Sequence, residues 1–349
     1  MNDKLTPPDH LFQKIADIIE QARRSVAHAV NLAMVYSYFE IGRMIVEDEQ
    51  EGKTRAAYGK HTLRELSDCL TERFGKGFSV ESLDRMRFFY KTYSLQNSST
   101  VLTNSATGLR KFKLSWSHYL LLMRIPNPDE RSFYEIEAAE NQWSLATLRR
   151  QYDSSLYERL ALSRDKAGIK KLSEKGQTIE TPADILKNPL TLEFLGLDEH
   201  HHLSETELEN AILSKIQHFL LELGKGFAFI GRQVRFTFDE EHFKVDLVFY
   251  NRLLRCFVVI DLKMGKITHK DLGQIQMYVN HYDRNVKLAD ENPSIGILLC
   301  KQKNDAVVQL TLPEDANIHA AEYRLYLPDK LLLQQKLQEW TLEFENLQG

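Results

Sequence analysis

Cysteine is scarce in this chain of 349 residues, with only Cys69, Cys256 and Cys300. Three scattered thiols, odd in number, exclude a disulfide framework and a cysteine zinc cage. Two of them lie in apolar, strand-like runs and read as reduced core residues of a cytoplasmic protein. No apolar run is long enough to cross a bilayer, and the opening MNDKLTPPDH lacks a signal-peptide pattern, so no membrane role is expected. Neither sign of charge dominates: 45 Lys and Arg stand against 49 Asp and Glu, a net charge of −4. Bulk attraction to nucleic acid is therefore absent, and any phosphate-binding charge has to be concentrated locally. There is no internal repeat, no P-loop, no dinucleotide glycine fingerprint and no Ser-His-Asp spacing. The adjacent His200, His201 and His202 cannot share one helix face, which argues for a loop rather than a metal site.

What the chain does have is concentrated between Phe243 and Tyr282. Two apolar runs, Val245–Tyr250 and Cys256–Leu262, are rich in Val, Ile and Phe. The polar-containing segment Asn251–Arg255 joins them, so they read as a buried hairpin. Charge interrupts the runs at Asp246, Asp261 and Lys263 only. A buried charge is costly unless paired or metal-bound, so these three need a reason. Strand parity points Asp261 and Lys263 to one face. A connecting loop of about four to six residues brings Asp246 beside or diagonal to Asp261, within reach of one ion; a two-residue loop does not. Two carboxylates beside an ammonium suit a hard divalent cation, Mg²⁺ or Mn²⁺, with positions left for water and phosphate. Such a cation polarises a phosphoryl oxygen and acidifies water, while the lysine orients that water or neutralises developing charge.

An Asp followed fifteen positions later by Asp-x-Lys at a strand end resembles the PD-(D/E)xK nuclease superfamily, with Val245 where that motif usually has proline. A helix-like segment, Lys270–Tyr282, follows, carrying Gln274 and Tyr278 one turn apart. That spacing resembles the Gln-xxx-Tyr motif of RecB-type nucleases. Glu207–Leu223 reads as one amphipathic helix, with Leu208, Ile212, Ile216, Phe219 and Leu223 on its stripe. Its Glu209 resembles the first-helix acid of the superfamily, a further metal ligand; Glu205, Glu207 and Glu222 are nearby alternatives. The segments "FLLELGKGFAFIGRQ", "DLVFYNRLLRCFVVIDLK" and "PSIGILLC" resemble the C-terminal domain of YhcG-type proteins. "RAAYGKHTLRELSDCLTERFGKGFSVESLDRMRFFY" and "LSWSHYLLLMRI" resemble their N-terminal helical domain. The resemblance implies a metal-dependent nuclease with Asp246, Asp261, Lys263, Glu209 and Gln274 in the site, Asp246, Asp261 and Glu209 being the metal ligands. Gln233, at the end of a strand, could line the same cleft or bond a neighbouring loop.

The expected fold is α+β and multidomain. Residues 1–165 form an all-helical domain, 166–202 a linker, and 203–349 an α/β restriction-endonuclease-like domain with a mixed sheet. A long helical pattern from Leu11 ends near Gly42 or in the charged stretch Glu47–Gly52. Helices Leu63–Phe74 and Val80–Tyr93, joined through Gly75-Lys76-Gly77 and capped by Ser79, outline a helix-turn-helix-like pair. Arg85, Arg87 and Lys91 on the second of these are candidate nucleic-acid contacts. So are Arg149 and Arg150, in a middle stretch that also holds Arg110, Lys111, Lys113, Arg159, Arg164, Lys166, Lys170 and Lys171. Residues 94–108 read as a polar loop. Further helices are expected over Leu114–Ile125, Arg131–Asn141 and Ser144–Leu162. DNA is the expected partner, with RNA left open, and the helical domain could also mediate a homodimer. The alternative is a catalytically silent nuclease-fold DNA-binding or adaptor protein.

Overall fold

The computed structural model describes residues 9–51, 56–94, 112–162, 164, 166–187, 189–197, 204–313 and 316–346. The loop read over 95–108, the cations Arg110 and Lys111, and His200–His202 lie outside these residues. The chain divides into two compact units, Met1–Arg149 and Arg150–Gly349.

In the first unit the long helix α1 (Asp9–Glu51) runs through Gly42 and stops in the charged stretch beyond it. Gly42 is a packing contact, not a terminator. A Cβ there would lie 2.1 Å from the carbonyl oxygen of Met86 on α3 (Val80–Ser94), so only glycine lets the two backbones approach. α2 (Ala56–Phe74) and α3 flank the expected glycine turn, in which Gly75 and Gly77 take φ of +83° and +124°. Ser79 caps α3 through its Oγ, which accepts from the Ser82 N–H at 3.3 Å. An aromatic cluster holds the unit together: Phe89 packs on Phe39, Tyr93, Phe112, Trp116 and Tyr119 at centroid distances of 5.1–5.6 Å. Short helices α4 (Trp116–Leu122) and α5 (Pro128–Glu140) follow. The expected helix Ser144–Leu162 is two, α6 (Leu145–Asp153) and α7 (Leu156–Ala161), broken where Ser155 takes a left-handed φ of +55°.

The second unit is a six-stranded mixed sheet in the order β1-β6-β5-β4-β3-β2. Its strands are β1 (Leu190–Thr191), β2 (Phe227–Phe238), β3 (Glu241–Asn251), β4 (Cys256–Lys266), β5 (Ile295–Gln302) and β6 (Ile318–Arg324). β2, β3 and β4 pair antiparallel, whereas β4, β5, β6 and β1 pair parallel. The expected single helix Glu207–Leu223 is broken at Lys215 into α9 (Glu205–Ser214) and α10 (Ile216–Leu223). Leu208, Ile212, Phe219 and Leu223 from these helices pack with Leu247, Phe249, Val258, Ile260 and Leu262 in the main core. A second core forms where α11 (His269–His281) lays Ile275, Tyr278 and Val279 on Val245, Val248 and Val259. α12 (Asp305–Thr311) and α13 (Lys330–Asn346) complete the C-terminal part.

The stretch 166–202, read from its Gly and Pro content as a linker, contains α8 (Lys166–Lys175) and the edge strand β1. Leu190, Leu192 and Leu195 are buried in the main core, which ties this stretch into the second unit. The two compact units meet at Arg149/Arg150, and α7 is tied into the second unit by charge. Glu222, fully buried on α10, accepts from both terminal nitrogens of Arg159 and, at 2.9 Å, from the Thr191 N–H. Lys187 donates to the Glu222 carbonyl. Against the penalty of burial, Arg159, Lys187 and Arg150 hold the Glu222 carboxyl below the usual glutamate range. Glu222→Ala leaves these cations buried without their acid, and a loss of about 3–5 kcal/mol is expected. Urea denaturation of the full chain checks this.

Candidate active site

The site is set by strand register. Asn251 pairs with Cys256 and Leu247 with Ile260, so the hairpin turn is the four residues 252–255, and the same register carried one step further sets Asp246 opposite Asp261. On the other side, Arg232 pairs with Leu247 and Val234 with Val245, which leaves Gln233 facing Asp246 from β2. Gln233, Asp246 and Asp261 are therefore neighbours across three strands. The β2–β3 hairpin closes on Asp239-Glu240, both at positive φ, the two-residue turn that suits the sheet twist.

Asp261 is 1% exposed. Lys263 Nζ lies 2.9 Å from its Oδ2, an ion pair by distance but not an aligned hydrogen bond, since this buried oxygen accepts none. Burial pushes the Asp261 carboxyl up to about 7; Lys263 pulls it down and Asp246 pushes it up. Asp246 accepts from the Leu262 N–H at 2.9 Å on Oδ2 and from Gln233 Nε2 at 3.2 Å on Oδ1. The same Gln233 amide nitrogen donates to Glu209 Oε2, so one amide bridges two acids. Burial, followed by repulsion from Asp246, raises the Glu209 pKa, and the Gln233 bond opposes this. Although burial lowers the Lys263 pKa, Asp261, Glu205 and Asp271 raise it on balance, so the side chain is an ammonium. Glu205 on α9 and Asp271 on α11 stand 3.8 and 4.0 Å from it. Gln274 and Tyr278 share a face of α11: Gln274 Nε2 donates to the Tyr278 hydroxyl at 2.5 Å, and that hydroxyl donates to the Lys244 carbonyl at 2.9 Å.

Gln233 thus joins Glu209 to Asp246, and Asp246 lies across the β3–β4 register from Asp261, which pairs with Lys263. Gln274 is tied to Tyr278 instead. Asp271 is an addition, and Glu205, an alternative for the first-helix acid by sequence, stands beside Lys263 instead; the proximity of two helix starts to the end of β4 brings both there. Among the described residues no three acids, histidines or cysteines form a ready-made metal cage. The Gln233 amide stands between two of the candidate ligands. The donor set nonetheless fits a hard divalent cation. Glu209 Oε1 is a buried oxygen with no hydrogen-bond partner, which is costly for a carboxylate unless a cation serves it, whereas Asp261 Oδ2 already has the Lys263 ammonium at 2.9 Å.

The expected nucleic-acid contacts fare differently. Arg85 is exposed beside Glu81 at 3.6 Å, and Arg149 is exposed. Arg87 and Lys91 both reach Glu49 of α1, at 2.6 and 3.5 Å, and Arg87 also pairs with Asp84. Arg150 needs correction as a surface cation: it is pinned by Glu193 at 2.8 Å, lies near buried Glu222 and stacks over Phe194. In the same basic stretch Arg159 is buried, Arg164 pairs with Asp184 at 3.2 Å and Lys171 with Glu180 at 2.8 Å. Arg150, Arg159, Arg164 and Lys171 are thus taken up by acids inside the second unit.

Two outcomes follow from this geometry. Gln233→Ala removes the bridge that orients Glu209 toward Asp246 and should weaken Mn²⁺ binding about tenfold by titration calorimetry, the scale of a ligand-orienting partner. The raised Asp261 pKa means the fold holds this proton more tightly than the unfolded chain does. Metal-free protein therefore loses stability as pH rises from about 3.9 through about 7. Asp261→Asn should abolish that component, so in EDTA its advantage over the wild type in urea midpoint grows between pH 5 and pH 8.

Comparison with known proteins shows the family of the chain. A model of the YhcG PDDEXK nuclease domain matches residues 183–338, and one of the DUF1016 N-terminal domain matches residues 14–159. The chain is 36% identical over 352 residues to the "Putative nuclease YhcG" of Escherichia coli (strain K12), covering 93% of each. Among solved structures, a repair endonuclease from Pyrococcus abyssi is 20% identical with a TM-score of 0.24, over 38% of this chain and 50% of that one. An EndoMS–dsDNA complex is 17% identical with a TM-score of 0.25, again over 38% and 50%. This chain thus spans about half the length of those two structures. At both ends the sequence matches one family, and the chain belongs to the YhcG proteins, which join a DUF1016 N-terminal domain to a PDDEXK nuclease domain.

Proposed function

We propose that the protein is a divalent-metal-dependent nuclease that hydrolyses phosphodiester bonds in DNA. The observation that carries this reading is the meeting of Asp246, Asp261 and Lys263 across adjacent strands, with Glu209 joined to them through Gln233. Asp246, Asp261 and Glu209 would hold Mg²⁺ or Mn²⁺. When bound, the cation supplies Lewis-acid polarisation of a phosphoryl oxygen and a more acidic water.

The chain's own residues do the rest. Asp261 must give up its proton for this state, and Lys263 beside it favours the charged form. Lys263, kept charged by three acids, is a poor proton acceptor. Its role is to orient the attacking water and offset negative charge that builds on the phosphoryl group. Tyr278, fixed to the Lys244 carbonyl, orients the Gln274 amide, which would align a phosphate. In the helical unit, Arg85, Arg87, Lys91 and Arg149 provide the grip on the sugar-phosphate backbone, positioning without reading sequence.

Supercoiled plasmid incubated with Mg²⁺ or Mn²⁺ tests the reading. Nicking by the wild type should fall at least a hundredfold in Asp261→Ala and in Lys263→Ala, on the scale of losing a charge-stabilising group. EDTA should abolish it. Nicking that survives both substitutions undamaged overturns the site, and labelled RNA in a parallel reaction decides between the two polymers.

A further inference from the structure

The first half of α1 presents an apolar face that none of the described residues covers. Phe12, Ile15, Ile18, Ile19, Val26 and Val30 are 47–66% exposed. Burial begins only at Val35, where α1 meets the aromatic cluster. A helix draws most of its stability from packing an apolar face, and this one has no cover from the described residues of its own chain.

The face has a definite period. Alternating steps of three and four from Phe12 to Ala33 meet only Phe, Ile, Val and Ala. Gln13, Lys14, Asp17, Glu20, Gln21 and Arg24 occupy the outer positions. That is a coiled-coil seam of about three heptads, some 33 Å long. Its charge is split along the helix. Residues 9–21 carry Asp9, Asp17 and Glu20 against Lys14, whereas residues 22–34 carry Arg23 and Arg24 and no acid. Two copies of the segment laid antiparallel set the acidic half of each beside the basic half of the other. A parallel pair sets like against like.

We infer that the first half of α1 pairs antiparallel with the same segment of a second copy of this chain. The facing layers are Phe12 on Ala29, Ile15 on Val26 and Ile19 on Ala22. Each large side chain meets a smaller one, and the alanines let the helices approach closely. The flanks of the seam carry one charge, Arg23, so nothing there repels a second copy. A dimer brings two copies of the α/β unit into one particle. This pairing rests on α1 alone and stands or falls independently of the nuclease reading.

Light scattering of the full chain at about 50 μM should give twice the 40.6 kDa of one copy. Ile15→Asp/Ile19→Asp should reduce this to the single-copy mass, leaving near-UV circular dichroism intact because neither residue touches the packed part of the unit. Orientation is read by cross-linking in a Cys69→Ser background, which removes the one exposed thiol. Ile15→Cys and Val26→Cys proteins, mixed and oxidised, should form an intermolecular disulfide that neither forms alone. A single-copy mass for the unmodified chain overturns the pairing, as does self-cross-linking of each variant without a mixed product.

Discussion

Two carboxylates held on adjacent strands, one of them almost wholly buried, is a repulsive arrangement that a sheet does not adopt without compensation. Here the compensation is partial. Lys263 neutralises one charge, the Leu262 N–H and the Gln233 amide serve Asp246, and one buried oxygen, Glu209 Oε1, is left unserved. Nearby structure acts to keep the acids in place: a four-residue turn that fixes the β3–β4 register, a left-handed residue on β2, and the starts of α9 and α11 beside the β4 end. Packed apolar residues would serve stability better than such a cluster, which makes it a candidate for chemistry.

The hairpin and its acids were legible from sequence because strand parity is a local rule. An apolar run, a short polar connection and two charges suffice to predict which side chains meet. Gln233 was less legible. Its geometry comes from a left-handed φ of +49°, which breaks the ladder between Arg232 and Val234 and turns the amide toward two acids. Nothing in the local pattern requires a non-glycine residue to take that conformation, and the penalty of roughly 1–3 kcal/mol is a feature of an organised site. The basic middle of the chain was misleading for a related reason. Arg150 and Arg159 find acids 43 and 63 residues away, and no window-based reading of charge sees such partners. β1 was hidden because two residues carry no periodicity.

In the helical unit, composition and packing separate in the same way. Gly42 looks like a stop signal in a helical pattern, yet α1 continues for nine residues, because the missing side chain is needed by Met86 on the facing helix. Arg87 and Lys91 look like a phosphate-binding face, yet both reach back to Glu49. A surface pair of this kind is weak, so a phosphate can displace it at little cost. Arg87 and Lys91 are thus held in position by Glu49 without being withdrawn from the surface.

The break between α9 and α10 unites the site with its support. In an unbroken helix the thirteen residues from Glu209 to Glu222 would turn the second acid about 220° from the first. One of them would face away from the sheet. With Lys215 leaving helical geometry, and its ammonium on the Phe194 carbonyl at 2.6 Å, each half turns independently. Glu209 then reaches Gln233 while Glu222 seats the Arg159 clamp. The two acids differ in consequence. Glu222 is saturated with cations and is structural, whereas Glu209 keeps one buried oxygen without a partner. Of the acids on this pair of helices, Glu209 is the one that a metal would complete.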